Sequence, residues 1–142
     1  RRIYRRLDVN AWIGIHRNTG NLADMRSLWE ENLKKIKDGV SAAELTEFKK
    51  NLINLAGGGI RLPLKAPVEQ SDLVLVYLSI GDKKGIICAL AEAVWICDVD
   101  TNDMQQIGLR FLNILEEDQA RIDVVVKALL DRLGKTGEEG ES

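Results

Sequence analysis

SDLVLVYLSIGDKKGIICALAEAVWICD, Ser71 to Asp98, is the most apolar run of this 142-residue chain and constrains its fold more than any other stretch. Its side chains must leave water, as a membrane span, a β-hairpin or a folded core. A membrane helix needs about 20 consecutive apolar residues. Here Leu73–Ile80 gives way to Gly81-Asp82-Lys83-Lys84-Gly85, and Glu92 interrupts the second run, so the pattern does not fit a span. A hairpin is favoured by the β-branched and aromatic residues of LVLVYLSI and by GDKKG as a turn. CALAEAVWI opposes it, because Ala89, Leu90, Ala91, Glu92 and Ala93 are good helix formers, and Ser71-Asp72 makes a helix start. The pattern predicts two short, mostly buried helices over 71–81 and 85–97. The alternative is an α+β fold with a small hairpin at 73–90.

The flanking sequence carries helical periodicity. NLADMRSLWEENLKKIKDG sets Leu22, Met25, Trp29, Leu33 and Ile36 on one stripe, with Asn21 as N-cap and Gly39 as stop. SAAELTEFKKNLINLAGGG opens on the capping box Ser41-x-x-Glu44, aligns Leu45, Phe48, Leu52 and Leu55, and ends at Gly57. The pattern recurs in NDMQQIGLRFLNILEE through Met104, Ile107, Phe111 and Ile114, and in EDQARIDVVVKALLDRLG through Ile122, Val125, Val126, Leu129 and Leu133. A further helix over YRRLDVNAWIGIH is weakened by Gly14. Together these predict an all-α fold, a compact bundle of five or six amphipathic helices. Gly57 to Pro67, GGGIRLPLKAP, is expected to be one extended Gly/Pro-containing crossover between helices. Residues 1–134 are expected to form a single helical domain, with 1–20 as a basic N-terminal flank and 135–142 as a disordered acidic tail.

At 45% hydrophobic and 30% charged, the composition is that of a folded domain and not of a disordered chain. The net charge of −2 conceals an asymmetry: Arg1 to Lys37 carries nine Arg or Lys against four Asp or Glu, and the remainder carries 11 against 18. A basic front end of this kind bears on partners and not on fold. Cys88 and Cys97 lie nine residues apart in apolar sequence and are expected to be buried, reduced thiols of an intracellular protein, cytoplasmic or nuclear. The opening RRIYRRLDVNAW has neither Met nor an apolar signal region and is expected to continue something longer.

No catalytic residue and no metal or cofactor motif survives a check of spacing. CDVDTND places Asp98, Asp100 and Asn102 at alternating positions, but a calcium loop needs Gly sixth and Glu twelfth, where this chain has Asp103 and Leu109. GKT at Gly134–Thr136 lacks the first glycine of a phosphate loop, and His16 has no recognisable nucleophile beside it. RRIYRRL carries Arg1, Arg2, Arg5 and Arg6 around Tyr4, and GGGIRLPLK sets Arg61 and Lys65 beside glycine amides. These six cations are the candidate contacts for phosphate or an acidic surface. Tyr4, Trp12, Ile13 and Ile15 are the candidate protein interface, with Trp12 as aromatic anchor. Trp29 and Trp95 fall on predicted core stripes.

These features predict a non-catalytic helical interaction or oligomerisation domain of a larger protein, of a kind found in viral structural or replication-associated proteins. Its partner is expected to be a protein or a second copy, and its basic flank is directed to RNA or an acidic membrane. The alternatives are a regulatory adaptor that binds a partner helix, or an enzyme whose site is assembled from residues dispersed in the sequence.

Overall fold

The computed structural model describes residues 7–17, 20–99 and 103–141, with side chains through Leu133. The described elements run β1 (Leu7–Arg17), α1 (Leu22–Lys37), α2 (Ala42–Leu45), β2 (Lys49–Ala56), β3 (Gly59–Lys65), β4 (Leu73–Ser79), β5 (Ile87–Asp98), β6 (Met104–Asn113) and α3 (Glu116–Glu141). The strands pair antiparallel and close into a barrel in the order β1-β2-β3-β6-β5-β4. The fold is therefore α+β, a six-stranded barrel with three helices, and the expected all-α bundle of five or six helices is incorrect.

The apolar run shows why. β4 and β5 form an antiparallel pair in place of the helices expected over 71–81 and 85–97. One face of the pair points into the barrel, where Val74, Val76, Leu78, Ala91 and Ala93 join Ile53, Leu55, Ile60, Ile107 and Leu109 in the principal core. The other face, Leu75, Tyr77, Cys88 and Leu90, is covered from outside by α1 through Met25, Leu28, Trp29, Leu33 and Ile36. A strand dry on both faces has no polar alternation, so its period of two disappears from the sequence. The alanines that resembled helix are small side chains of a narrow barrel, which needs them opposite Ile and Leu.

α1 forms where its sequence places it. The Asp24 N–H donates to Asn21 Oδ1 at 2.9 Å, and Lys34, Lys35 and Lys37 crowd the C-terminal turn, where cations oppose the helix dipole. Its buried polar atoms are matched: the Trp29 indole N–H donates to the Cys88 carbonyl at 2.9 Å, and Asn32 Nδ2 donates to the Tyr77 hydroxyl at 2.6 Å. Burial, with a lesser effect of the Asp118 charge, pushes the Cys88 thiol up to about 12, so it stays protonated. Cys97 is exposed on the far half of β5, so the expectation of two buried thiols holds for Cys88 alone.

The Ser41/Glu44 capping box is present, but the helix it starts ends at Leu45, and Lys49–Ala56 continues as β2. β2 alternates Ile53 and Leu55 inward with Lys50, Leu52 and Asn54 outward, a spacing that overlaps a helical stripe at Leu52 and Leu55. β1 and β6 likewise replace the helices expected over 4–16 and 102–117, and Gly57–Pro67 is mostly β3 and not a crossover. α3 covers one end of the barrel with Ile122 and Val126. It continues to Glu141 through the segment expected to be a disordered tail. Among the described residues, no helix is long and apolar enough to cross a membrane.

Arg121 ties α3 to the β4–β5 turn. Its guanidinium donates to both Asp82 carboxylate oxygens at 2.8 Å, to Asp118 at 3.0 Å and to the Gly85 carbonyl at 2.7 Å. Hydrogen bonds from Arg121 hold the Asp82 carboxyl below its ordinary value, against a smaller opposing effect of burial. Its stabilisation is therefore complete above the unfolded value of about 4 and is lost as the pH falls through the depressed native value. Asp82→Asn should lower Tm at pH 7, and the gap to wild type should narrow below about pH 3 in thermal scans. Met25→Ala, which empties the seam under α1, should cost about 2–5 kcal/mol in urea unfolding.

Candidate ligand-binding face

The β2–β3 hairpin turns at Gly57–Gly58, pinned from two sides. Gln119 Nε2 on α3 donates to the Gly57 carbonyl at 2.9 Å, and the Phe111 N–H on β6 donates to the Gly58 carbonyl at 3.0 Å. The packing leaves no room for side chains: a Cβ at Gly57 would overlap the Asp123 carboxylate, and one at Gly59 would overlap the Leu109 carbonyl oxygen. Gly57 and Gly59 are thus the condition for close approach of hairpin, helix and β6.

One row of cross-strand neighbours runs outward from this turn: Asp8 on β1, Asn54 on β2, Arg61 on β3, Gly108 on β6 and Trp95 on β5. Asn54 Nδ2 donates to Asp8 Oδ1 at 3.0 Å. Gly108 carries no side chain, and a Cβ there would sit 3.1 Å from Trp95 Cβ, so the indole spreads over the glycine toward β3. The Arg61 guanidinium carbon lies 5.2 Å from the centroid of the Trp95 ring.

Trp95 faces outward because of a register shift. Ala93 pairs with Leu109 and Trp95 with Gly108, leaving Val94 as an extra residue. Without that bulge, strict alternation would turn Trp95 into the barrel; with it, Val94 and Trp95 are 42% and 43% exposed. In the adjoining row, Arg110 is neutralised by Glu92 at 2.8 Å. Arg61 has no carboxylate partner among the described residues, and its charge rests on the indole face. Two open clefts, of about 270 and 510 Å³, meet at Arg61 and Trp95, the first floored by Gly58 and Gly108 and the second walled by Asp8, Asn54 and Pro63. A cation over an aromatic face, beside glycine backbone, suits a ligand that is both anionic and flat.

The predicted site residues separate. Arg1, Arg2, Tyr4, Arg5 and Arg6 lie outside the described residues; Leu7, which follows them, pairs with Leu55, next to the glycine turn. Arg61 stands at the centre of the face. Lys65 is four residues further along β3, about 13 Å away at the rise of a strand, and does not join Arg61. Trp12 is exposed and stacks on Phe48 with ring centroids 5.9 Å apart. Ile13 is buried in the barrel and Ile15 is partly buried against the same core, so alternation along β1 turns both inward and not toward an interface with Trp12. Asn54 and Trp95 were missed, the latter because the bulge reverses its face. Arg17 donates to the Lys65 and Pro67 carbonyls beside a separate cleft of about 460 Å³ that has no aromatic wall. Among the described residues, no group of three or more His, Cys, Asp and Glu is arranged to hold a metal.

Residues 35–128 match the model of the PilZ domain family, and the chain belongs to that family. Solved structures share the fold. The inhibitor of motility MotI/DgrA of Bacillus subtilis superposes with a TM-score of 0.60 at 15% identity, over 92% of this chain and 52% of that one, so the present chain spans about half of its length. A tetrameric PilZ domain from Xanthomonas campestris, self-assembled through a helical bundle, gives 0.59 at 15% identity over 90% and 87% of the two chains. The PilZ domain of YcgR from Escherichia coli, solved with c-di-GMP, gives 0.54 at 14% identity over 97% and 98%. No curated protein matches the sequence. Family membership overturns the function expected from sequence: this is neither a helical oligomerisation domain of a viral or RNA-directed protein nor a helix-binding adaptor.

Gly59→Ala should cost about 1–3 kcal/mol in urea unfolding, because Leu109 cannot withdraw without opening the β3–β6 seam. Arg61→Ala should stay within about 0.5 kcal/mol of wild type in the same assay, since its side chain holds nothing in the core.

Proposed function

We propose that this PilZ domain is a non-catalytic receptor for cyclic di-GMP, which binds on the outer face of the β2–β3 hairpin. The observation that carries the proposal is Arg61 lying over exposed Trp95 with no carboxylate partner among the described residues, at the junction of two clefts, one of them floored by glycine. The ligand presents two phosphates and two flat purines. Guanidinium groups suit the first through forked hydrogen bonds, and an indole or a guanidinium plane suits the second by stacking. Asn54 lines the same face and can hydrogen-bond a base edge or ribose. Arg1, Arg2, Arg5 and Arg6, which precede Leu7 in the sequence, are proposed as further phosphate contacts on their chemistry alone. Lys65 is too distant to take part.

The E. coli domain solved with c-di-GMP supports the ligand class, and the name of the B. subtilis inhibitor of motility supports a signalling role in bacteria. Self-association is a secondary proposal, supported by the exposed Val124 and Leu133 on α3 and by the X. campestris tetramer. Light scattering of the 142-residue chain at two concentrations tests it, and a constant monomer mass excludes it.

Titration calorimetry with cyclic di-GMP should show saturable binding that weakens as salt rises, because phosphate contacts displace counterions. Arg61→Ala and Trp95→Ala should each weaken it about ten-fold or more, equivalent to about 1.4 kcal/mol. Absence of saturable heat at millimolar ligand, or full affinity in both variants, would overturn the assignment.

A further inference from the structure

β2 and β3 are held together by three residue pairs, Asn54↔Arg61, Leu55↔Ile60 and Ala56↔Gly59, whereas each other seam of the barrel has six to eight. Below Asn54 and Arg61 the strands part. Lys49–Ile53 remain paired with β1 and Leu62–Lys65 with β6, but not with each other. The wedge between them is the cleft of about 510 Å³ already described, and a second cleft of about 330 Å³ continues from it toward Lys49 and Lys65.

Its two edges differ. Gly58 offers its carbonyl to Phe111 on β6, so by alternation Ile60 and Leu62 also face β6, while Gly59, Arg61 and Pro63 face β2. Pro63 has no N–H to give, which blunts the β3 edge. On β2 the residues in register with that side are Asn54, Leu52 and Lys50. The Leu52 N–H is taken by Asn51 Oδ1 of the adjacent residue at 2.9 Å, in place of a strand partner. Among the described residues, the β3-facing edge of β2 therefore has no strand partner at Lys50–Leu52, in an otherwise closed barrel. Leu52 is 55% exposed there, and Trp12 is 49% exposed opposite Lys50 on β1. Lys49, Lys50, Arg61 and Lys65 surround the wedge; of its two carboxylates, Glu47 faces Lys49 at 3.9 Å and Asp8 accepts from Asn54.

We propose that this wedge is the docking groove for an extended acidic segment of a partner protein, which adds as a strand to the Lys50–Leu52 edge. Backbone hydrogen bonds to Lys50 and to Leu52, whose N–H the incoming strand takes over from Asn51 Oδ1, supply the affinity of strand addition, and alternate side chains supply selectivity. Carboxylates occupy the outward face of the incoming strand, where they meet Lys50 and Lys65 beside Leu52 and Trp12, and its alternate apolar residues turn to the inner face of the sheet. The groove begins at Arg61, the residue assigned above to the nucleotide, so ligand and strand compete for one guanidinium. The groove itself follows from the seam and does not depend on the ligand assignment.

The test is an amide NMR titration of the full chain with an eight-residue peptide of alternating Glu and Val, with the Lys/Val peptide as control. The acidic peptide should shift the Lys50 and Leu52 amides and slow their hydrogen exchange about ten-fold, and the basic one should not. Lys50→Pro removes the edge N–H and should abolish the effect. Should that variant fail to fold, the double variant Lys50→Glu with Lys65→Glu keeps the edge and should transfer the preference to the basic peptide. No shift at millimolar acidic peptide, equal response to both peptides, or shifts confined to residues remote from the wedge would overturn the proposal. Cyclic di-GMP added afterwards separates it from the receptor assignment, because strand docking is read at Lys50 and Leu52 whether or not the nucleotide binds.

Discussion

Tyr77 and Cys88 face each other across the β4–β5 pair without contact with water, and the barrel can expose neither because α1 lies over both. This double burial organises the rest. Inside, the same strands present Val74, Val76 and Leu78 to the core that the other four strands complete. Outside, the burial would strand two polar groups, and it does not: Asn32 reaches the Tyr77 hydroxyl, and the Trp29 indole takes the Cys88 carbonyl. An unmatched group of either kind would cost about 1–3 kcal/mol, which explains why an asparagine sits on the apolar face of α1. With β4 and β5 fixed, α3 closes one end, and Arg121 clamps the β4–β5 turn to it through Asp82.

The opposite side of the barrel is built from departures from regularity. Gly57 and Gly59 admit a hairpin tight against α3 and β6, Val94 shifts the register of β5, and Gly108 clears the surface over which Trp95 lies. Each departure weakens the sheet locally, and together they place an indole under the guanidinium of Arg61. The short seam beneath is a consequence of the same geometry. β2 follows β1 while β3 follows β6, and the two separate as soon as the hairpin has turned. The proposed ligand face and the wedge are thus contiguous, one above Arg61 and one below it.

Legibility in the sequence followed local encoding. Asn21, the stripe from Leu22 to Ile36 and the lysines of the last turn specify α1 through contacts within four residues, and the helix forms there. The capping box at Ser41 was equally legible, but four residues later the chain leaves the helix, since Ile53 and Leu55 are worth more inside a barrel than on a helical stripe. Arg61 was legible as a cation beside glycines. Asn54 and Trp95 were not, because their meaning depends on partners 46 and 34 residues away, Asp8 and Arg61. Ile13 and Trp12 show the same limit, for one residue of strand register separates a core side chain from an exposed one.

By itself the sequence determined a folded chain whose apolar run does not fit a helical membrane span, the position and caps of α1, a last amphipathic helix from about Glu117, and Arg61 as a cation beside glycines. Only the tertiary structure decided that the apolar run is strand and not helix, because burial on both faces erases the alternation that distinguishes them. It also decided which way Trp95 points and where β2 lacks a partner. Both are properties of pairing between distant strands, and no window of neighbouring residues contains the partner that sets them.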